Sequence, residues 1–154
     1  MAKVKRWIVV VIWLGLIFYL SSQPATESLE LSRNLEKLIV ALKEMVVPDL
    51  TIEIHRFQNI LRKAAHFFVF MVLAFLVMYA LDYSNIQTLK RKMAITFGAS
   101  VIFAILDETY QYFVPGRGAQ VSDVFLDSVG AMVGIGLWLL FEKWRQRRSA
   151  HRDK

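Results

Sequence analysis

Four carboxylates and an arginine lie within a short stretch that has long apolar runs on both sides. They are Asp107, Glu108, Arg117, Asp123 and Asp127. Ionisable residues at the edge of an apolar, membrane-like segment are costly, and they are commonly retained for function. Carboxylates held there can exchange protons with a bound group, and an exposed arginine can meet an anion such as a phosphate. A closed network of ion pairs at the helix ends is the structural alternative.

A cationic group in an earlier segment complements these acids. Arg62 and Lys63 precede His66 by four and three residues, so one side of a helix carries all three. His66, Asp107 and Asp123 are the candidates for proton exchange or catalysis. The full predicted ligand-binding set is Arg62, Lys63, His66, Asp107, Glu108, Gln111, Arg117, Asp123 and Asp127.

Several classes of chemistry are excluded by residues that the sequence lacks. The chain has no cysteine, which excludes disulfides, thiolate metal sites and cysteine nucleophiles. His66 has no convincing second histidine ligand and no HExxH pair occurs, so we predict no metal site. Glycine-rich phosphate loops and nucleophile elbows are also missing, and we predict no cofactor. Much of the formal net charge of +6 lies at the ends of apolar runs, which argues against nucleic acid as a partner.

The elements that must position these residues are apolar blocks. The chain has 154 residues and is 56% hydrophobic, more than is typical of a soluble domain. We therefore predict an all-α, polytopic membrane bundle that forms a single membrane domain over residues 1–154. Four transmembrane helices are predicted, at about residues 7–22, 64–81, 93–114 and 121–144.

The first apolar run, residues 7–20, contains no charge but is short for a span. A basic head before such a run is also typical of a signal peptide, but no small-residue cleavage pattern follows it. We therefore predict an uncleaved first span. Extended to Ser22, it reaches about 24 Å at the α-helical rise, and Lys5 and Arg6 can reach back to the interface.

Residues 23–61 are predicted to form an extracytoplasmic loop that contains an amphipathic helix. Its apolar positions recur every three or four residues, opposite charged ones. They are Leu31, Leu35, Leu38, Leu42 and Val46. Such a helix suits the membrane surface or the ends of the spans, and contact with a partner helix is the alternative. After Pro48, helical spacing of Ile54, Phe57 and Leu61 predicts a direct lead into the second span.

The distribution of basic residues predicts the orientation of the four spans. Twelve of the 19 Lys and Arg residues lie in the N-terminal head, at residues 90–92 and in the C-terminal tail. Acidic residues concentrate in the first loop, on the other side. The positive-inside rule then places both termini in the cytoplasm and the candidate site residues toward the extracytoplasmic face.

Helical rise predicts a common depth for three of the site residues. Counted from the outer ends of their spans, His66, Asp107 and Asp127 lie about 6, 10 and 9 Å deep. Gly130 and Gly134 continue the helix face of Asp127, and this Gly-x-x-x-Gly pair lets a neighbouring helix approach closely. One pocket shared by three spans is therefore predicted.

Together, the polar motifs resemble those of the VanZ-like family of small bacterial integral membrane proteins. The matching motifs are Arg62-Lys63-x-x-His66-Phe67, Asp107-Glu108-x-x-Gln111, Pro115-Gly116-Arg117 and Asp123-Val124-x-x-Asp127-x-x-Gly130-x-x-x-Gly134. The resemblance covers roughly residues 7–142 and implies a multi-pass protein of the bacterial cell membrane. The family is named after a member that gives low-level resistance to teicoplanin, and it implies no settled biochemical mechanism. Asp127 stands where many relatives have Asn.

Three functions are consistent with these residues. The first is a site for the head group of a membrane lipid or lipid-linked cell-envelope precursor, with Arg62, Lys63 and Arg117 on its anionic part. The resemblance links this function to glycopeptide resistance. The second is a membrane enzyme that performs acid/base or phosphoryl chemistry on a lipid phosphate. The third is a structural or assembly role in which the polar cluster only pins the helices. The sequence leaves the ligand and the oligomeric state open.

Overall fold

The architecture is all-helical, as predicted. The computed structural model describes residues 2–23, 54–84, 86, 88–115 and 118–152, and within those ranges it contains helices and no strand. The helices are α1 (Ala2–Ser22), α2 (Ile54–Leu81), α3 (Leu89–Tyr112) and α4 (Val121–Arg152).

Three of these four helices are long and apolar enough to cross a membrane. The qualifying segments are Val4–Ser22, Asn59–Leu81 and Val121–Ser149. The remaining helix, α3, covers most of the predicted third span, but buried polar residues on it lower its apolar character. Its passage through the membrane therefore stays a prediction.

Most helix ends follow from local chemistry. The segment before the second span is helical from Ile54 onward, which confirms the predicted direct lead into that span. Helix α3 ends at Tyr112, two residues short of the predicted 114, and Phe113 caps it by donating its N–H to Tyr110. Pro115 explains this end, since a proline disfavours helical geometry in the residue before it. The predicted amphipathic helix at residues 31–46 lies outside the described residues.

Cross-helix contacts fix the direction of each helix. In α1, Trp13 donates its indole N–H to the carbonyl of Val69 at 2.9 Å. Arg6, which precedes Trp13 in α1, donates to the carbonyl of Tyr79 at 3.1 Å. The sequence positions of these pairs run in opposite senses, so α1 is antiparallel to α2. The same reasoning makes α3 antiparallel to α2, because Lys92 meets Asp82 while Gln111 meets His66.

Helix α2 is the centre of the bundle, and its most extensive contact is with α4. Two glycines of α4 make that contact close. A Cβ on Gly130 would lie 3.2 Å from the carbonyl carbon of Phe67, and one on Gly134 would lie 2.9 Å from that of Met71. The carbonyl oxygens of Phe67 and Met71 would lie closer still, nearer than real Cβ atoms come to backbone, so both positions require glycine at this helix separation. The pairing also shows that α2 and α4 run in the same direction.

One end of the bundle is tied together by charged residues, here called the Asp82 network: Asp82, Lys92, Glu142 and Arg145. Asp82, which follows α2, pairs with Lys92 of α3 at 3.2 Å and with Arg145 of α4 at 3.1 Å. Arg145 also pairs with Glu142 at 2.7 Å. The network therefore joins the end of α2, the start of α3 and the last turns of α4.

Candidate functional site

The predicted site residues come together at the opposite end of the bundle. The helix directions bring the first half of α2, the second half of α3 and the start of α4 to the same end. The residues at the centre of this meeting point are called the carboxylate–histidine cluster: His66, Asp107, Gln111 and Asp127. All four are buried, and the two carboxylate residues and Gln111 are each 1% exposed.

His66 lies between the two carboxylates of the cluster. Its Nδ1 atom is 3.6 Å from Oδ2 of Asp127 and 3.8 Å from Oδ2 of Asp107. Both distances exceed those of a direct hydrogen bond, and Nδ1 has no hydrogen-bond partner within the described part of the chain. The imidazole therefore stands close enough to interact electrostatically with both acids without bonding either.

Gln111 connects the cluster to its surroundings. Its Nε2 group donates to Oδ2 of Asp107 at 2.9 Å and lies 3.3 Å from Nε2 of His66. It also reaches Oγ of Ser21 in α1 at 3.5 Å. Because a single amide group contacts side chains from three helices, Gln111 orients Asp107 and holds the imidazole ring from the side opposite Nδ1.

Asp123 forms a separate group nearer the end of α4, with most of its charge already paired. Its Oδ1 accepts a bond from Nζ of Lys63 at 2.6 Å, and its Oδ2 lies 3.7 Å from the guanidinium of Arg62. Lys63 also reaches Ser122 and Gln120. The Arg62 and Lys63 side chains are 25% and 35% exposed, so this group forms a partly open rim above the buried cluster.

Glu108 points about 100° around α3 from Asp107, as adjacent helical residues do. One of its carboxylate oxygens, Oε1, accepts a hydrogen bond from the backbone N–H of Gln120. The bond holds the segment before α4 against α3. Glu108 therefore has a structural contact that Asp107 lacks.

Unpaired polar atoms set this region apart from a closed ion-pair network. Buried carboxylate oxygens with no hydrogen-bond partner among the described residues are Asp107 Oδ1, Glu108 Oε2, Asp127 Oδ1 and Asp127 Oδ2. Buried polar atoms are almost always paired in native proteins, and leaving one unpaired costs about 1–3 kcal/mol. The arrangement can therefore accept several hydrogen bonds from a group that is not part of these helices.

Eight of the nine predicted ligand-binding residues lie at this end of the bundle, in the cluster, in the rim or at Glu108. The ninth, Arg117, lies outside the described residues. The sequence does not single out Ser21, Gln120 or Ser122, which the fold adds to the site. Ser21 carries one usable signal, since it is a polar residue in the last turn of an apolar helix.

The described residues contain no group of three or more His, Asp or Glu side chains arranged to hold a metal ion.

The chain matches the model of a known protein family. A family model described as VanZ/LLP1 matches residues 6–142, a range that contains every residue of the cluster and of the rim. The chain belongs to the VanZ/LLP1 family. The match also takes in most of the Asp82 network, so both polar ends of the bundle fall within the family region. No curated protein and no solved structure matches this VanZ-family chain.

Proposed function

We propose that this VanZ-family protein crosses the bacterial cell membrane four times, with both termini in the cytoplasm. Its carboxylate–histidine cluster then faces outward and binds the head group of a membrane lipid or lipid-linked cell-envelope precursor. Helix α3 is the third span along the chain in this proposal, in addition to the three segments that qualify by length and composition. The basic residues at its start and in the C-terminal tail support the orientation through the positive-inside rule.

The observation that carries the proposal is the set of unpaired buried carboxylate oxygens on Asp107 and Asp127. A network whose purpose was only to pin helices would gain stability by pairing them. Here both oxygens of Asp127 lack a hydrogen-bond partner within the described residues. A ligand that donates hydrogen bonds would offset that cost on binding.

The unpaired atoms also indicate the chemistry of the head group. Nearly all are acceptors, whereas the described cations Arg62 and Lys63 already lie against Asp123. The buried part of the site therefore suits an ammonium or hydroxyl group. A phosphate suits the rim, where Arg62 and Lys63 are partly exposed. The sequence also predicts Arg117 as a ligand of this anionic part. A phosphate linked to a primary amine or to sugar hydroxyls meets both requirements.

Lipid-induced stabilisation tests this proposal. In detergent, a short-chain phosphatidylethanolamine should raise the melting temperature, and the rise should grow with the logarithm of lipid concentration above the dissociation constant. A phosphatidylcholine of the same chain length should act far more weakly, because its trimethylated nitrogen has no N–H donor. Asp107→Asn should abolish the difference, whereas Glu142→Gln at the other end of the bundle should retain it. Equal stabilisation by both lipids in the wild-type protein would refute an amine-binding cluster.

An enzymatic function is the second candidate, favoured by one observation. His66 stands between two carboxylates with Nδ1 unbonded to any described residue, which is a usable geometry for a general base. Incubation of the purified protein with a polyprenyl or phospholipid phosphate decides this. Turnover that is lost on His66→Ala would support an enzyme, and retained lipid binding without turnover would support the binding site.

The family resemblance supports a link to glycopeptide resistance. Expression of the wild-type chain in a susceptible bacterium should then raise the teicoplanin concentration that inhibits growth, and Asp107→Asn should remove the effect. Unchanged sensitivity for both would remove this phenotype from the proposal while leaving the lipid measurement to decide the binding function.

A further inference from the structure

The buried face of α3 is polar along most of its length. Its buried residues are Thr96, Ser100, Ala104, Asp107, Glu108 and Gln111, of which only Ala104 is apolar. Small side chains, including Ser and Thr, are common where helices pack in membranes, whereas buried ionisable ones generally mark a path or a site. The head-group site uses Asp107 and Gln111 and leaves Thr96 and Ser100 without a function.

The polar residues form one row with Lys92. At 3.6 residues per turn, Lys92, Thr96, Ser100, Asp107 and Gln111 fall within an arc of about 100° on α3. The rise from Lys92 to Gln111 is about 28 Å, close to the hydrocarbon thickness of about 30 Å. The row therefore extends over nearly the whole membrane if α3 crosses it.

The two hydroxyls in the middle of the row lack the bond that such groups usually make. Thr96 is 0% and Ser100 is 1% exposed, and neither hydroxyl oxygen has a hydrogen-bond partner among the described residues. Thr109, exposed on the same helix, instead donates to the carbonyl of Ile105 at 2.6 Å. Buried hydroxyls are costly to leave unpaired, and water is the partner that a polar interior site most often takes.

Titratable groups lie at both ends of the row. At one end, Lys92 contacts Asp82, which also holds Arg145. At the other end, Asp107 lies beside His66 and Gln111, and Oδ1 of Asp107 has no partner within the described chain. A proton that enters from either end therefore meets a carboxylate, Asp82 or Asp107, that can accept it.

The longest interval in the row lies between Ser100 and Asp107. The helical rise over it is about 10 Å, with Ala104 between, whose small side chain takes up little room beside the row. Side chains on a helix lean toward its N-terminus, so the carboxylate of Asp107 leans toward Ser100 and shortens the interval. Ala104 itself packs in the apolar core with Phe70 and Leu73, so a continuous path needs a few hydrogen-bonded waters in this interval.

We propose that the buried face of α3 carries a chain of water molecules that conducts protons between the Asp82 network and the carboxylate–histidine cluster. Each water or hydroxyl accepts a proton on one side and releases one on the other, so no group along the row changes composition. The row offers about one oxygen per helical turn, which is too few for a hard cation that takes six or more oxygen ligands. The path requires α3 to cross the membrane and does not depend on lipid binding.

Proton flux into vesicles tests the path. The purified full-length protein is reconstituted into phosphatidylcholine vesicles that contain a pH-sensitive dye, and a potassium gradient with valinomycin sets an inward driving force for protons. The wild-type protein and Thr109→Val should acidify the interior at least tenfold faster than protein-free vesicles. Thr96→Val with Ser100→Ala should return the rate to that of protein-free vesicles.

Folding and packing effects are separated by a second measurement. Neither substitution adds a side-chain heavy atom to the packed interior, so the melting temperature of the double variant should stay close to that of the wild type. Should the double variant fail to fold, Ser100→Ala alone decides, and its flux should fall at least threefold. The proposal is overturned if wild-type flux equals that of empty vesicles, or if a folded Ser100→Ala protein conducts like the wild type.

Discussion

At the scale of single residues, Asp123 and Asp127 lie on the same face of α4 but have different surroundings. Asp123 is paired with Lys63 at 2.6 Å, whereas both oxygens of Asp127 lack a hydrogen-bond partner within the described part of the chain. Their i,i+4 spacing predicts a shared face, and the structure has them on it. One carboxylate is held by the rim, and the other has His66 at 3.6 Å as its ion-pair neighbour.

Neutralising each aspartate in turn should separate these environments. Asp127→Asn removes a buried charge that lacks a bonded partner, so the melting temperature in detergent should stay unchanged or rise. Asp123→Asn leaves Lys63 and Arg62 without their carboxylate, and we expect the free energy of unfolding to fall by about 1–2 kcal/mol. Equal losses in the two variants would mean that Asp127 is bonded within the protein.

At the scale of helices, the glycines of α4 set the separation from α2. The structure brings the carbonyl groups of Phe67 and Met71 against Gly130 and Gly134. This contact brings the acidic face of α4 against the histidine of α2. The distance between His66 and Asp127 therefore depends on two glycines, which have no side chain that could bind or react.

Alanine at these glycines should be destabilising in proportion to the space available. Gly134→Ala places a methyl group against the backbone of α2, and we expect a loss of about 1–3 kcal/mol in unfolding free energy. Gly136→Ala is the matched control, because nothing among the described residues lies within 4 Å of its Cβ. There the better helix propensity of alanine should add about 0.5–1 kcal/mol. Chemical denaturation in detergent measures both, and similar effects of the two substitutions would contradict a close α2–α4 contact.

Sequence patterns predict this helix-level picture only in part. Spacing on each helix indicates which residues share a face, which is why Arg62, Lys63, His66, Asp123 and Asp127 were grouped correctly at one end. Rotation of one helix against another decides which acid meets which cation, and that depends on packing over many residues. The contact of Gln111 with Ser21 joins residues far apart in sequence, and no local pattern reports such a contact. The sequence does not predict the polar row of α3, because threonine and serine, the residue types at 96 and 100, are common in apolar segments.

At the scale of the whole molecule, the two polar ends of the bundle differ in how completely their groups are bonded. Asp82 has both carboxylate oxygens paired, with Lys92 and with Arg145. The carboxylate–histidine cluster has several acceptors without partners among the described residues. In the Asp82 network only Glu142 Oε2 lacks a hydrogen-bond partner among the described residues, and it is ion-paired with Arg145 at 2.7 Å. The more fully bonded end suits anchoring of the helices, and the less fully bonded end suits binding.

The orientation of the two ends can be measured directly, because the chain contains no cysteine. Val121, the first residue of α4, is 88% exposed at the end of the bundle that holds the cluster, and Ser149 is exposed near the other end of α4. Each is replaced by cysteine in turn. On intact cells, a membrane-impermeant maleimide should label the first and spare the second until the membrane is permeabilised. The reverse labelling pattern would place the cluster in the cytoplasm and contradict an outward-facing site.

The most direct test of a head-group site is a structure of the protein in phosphatidylethanolamine nanodiscs, determined by electron cryomicroscopy. The account predicts density for the lipid amine within about 2.7–3.2 Å of the free oxygens of Asp107 and Asp127, with the phosphate at Arg62 and Lys63. An unoccupied cluster, in which His66 has moved to bond Asp127 directly and closed the space between them, would contradict it.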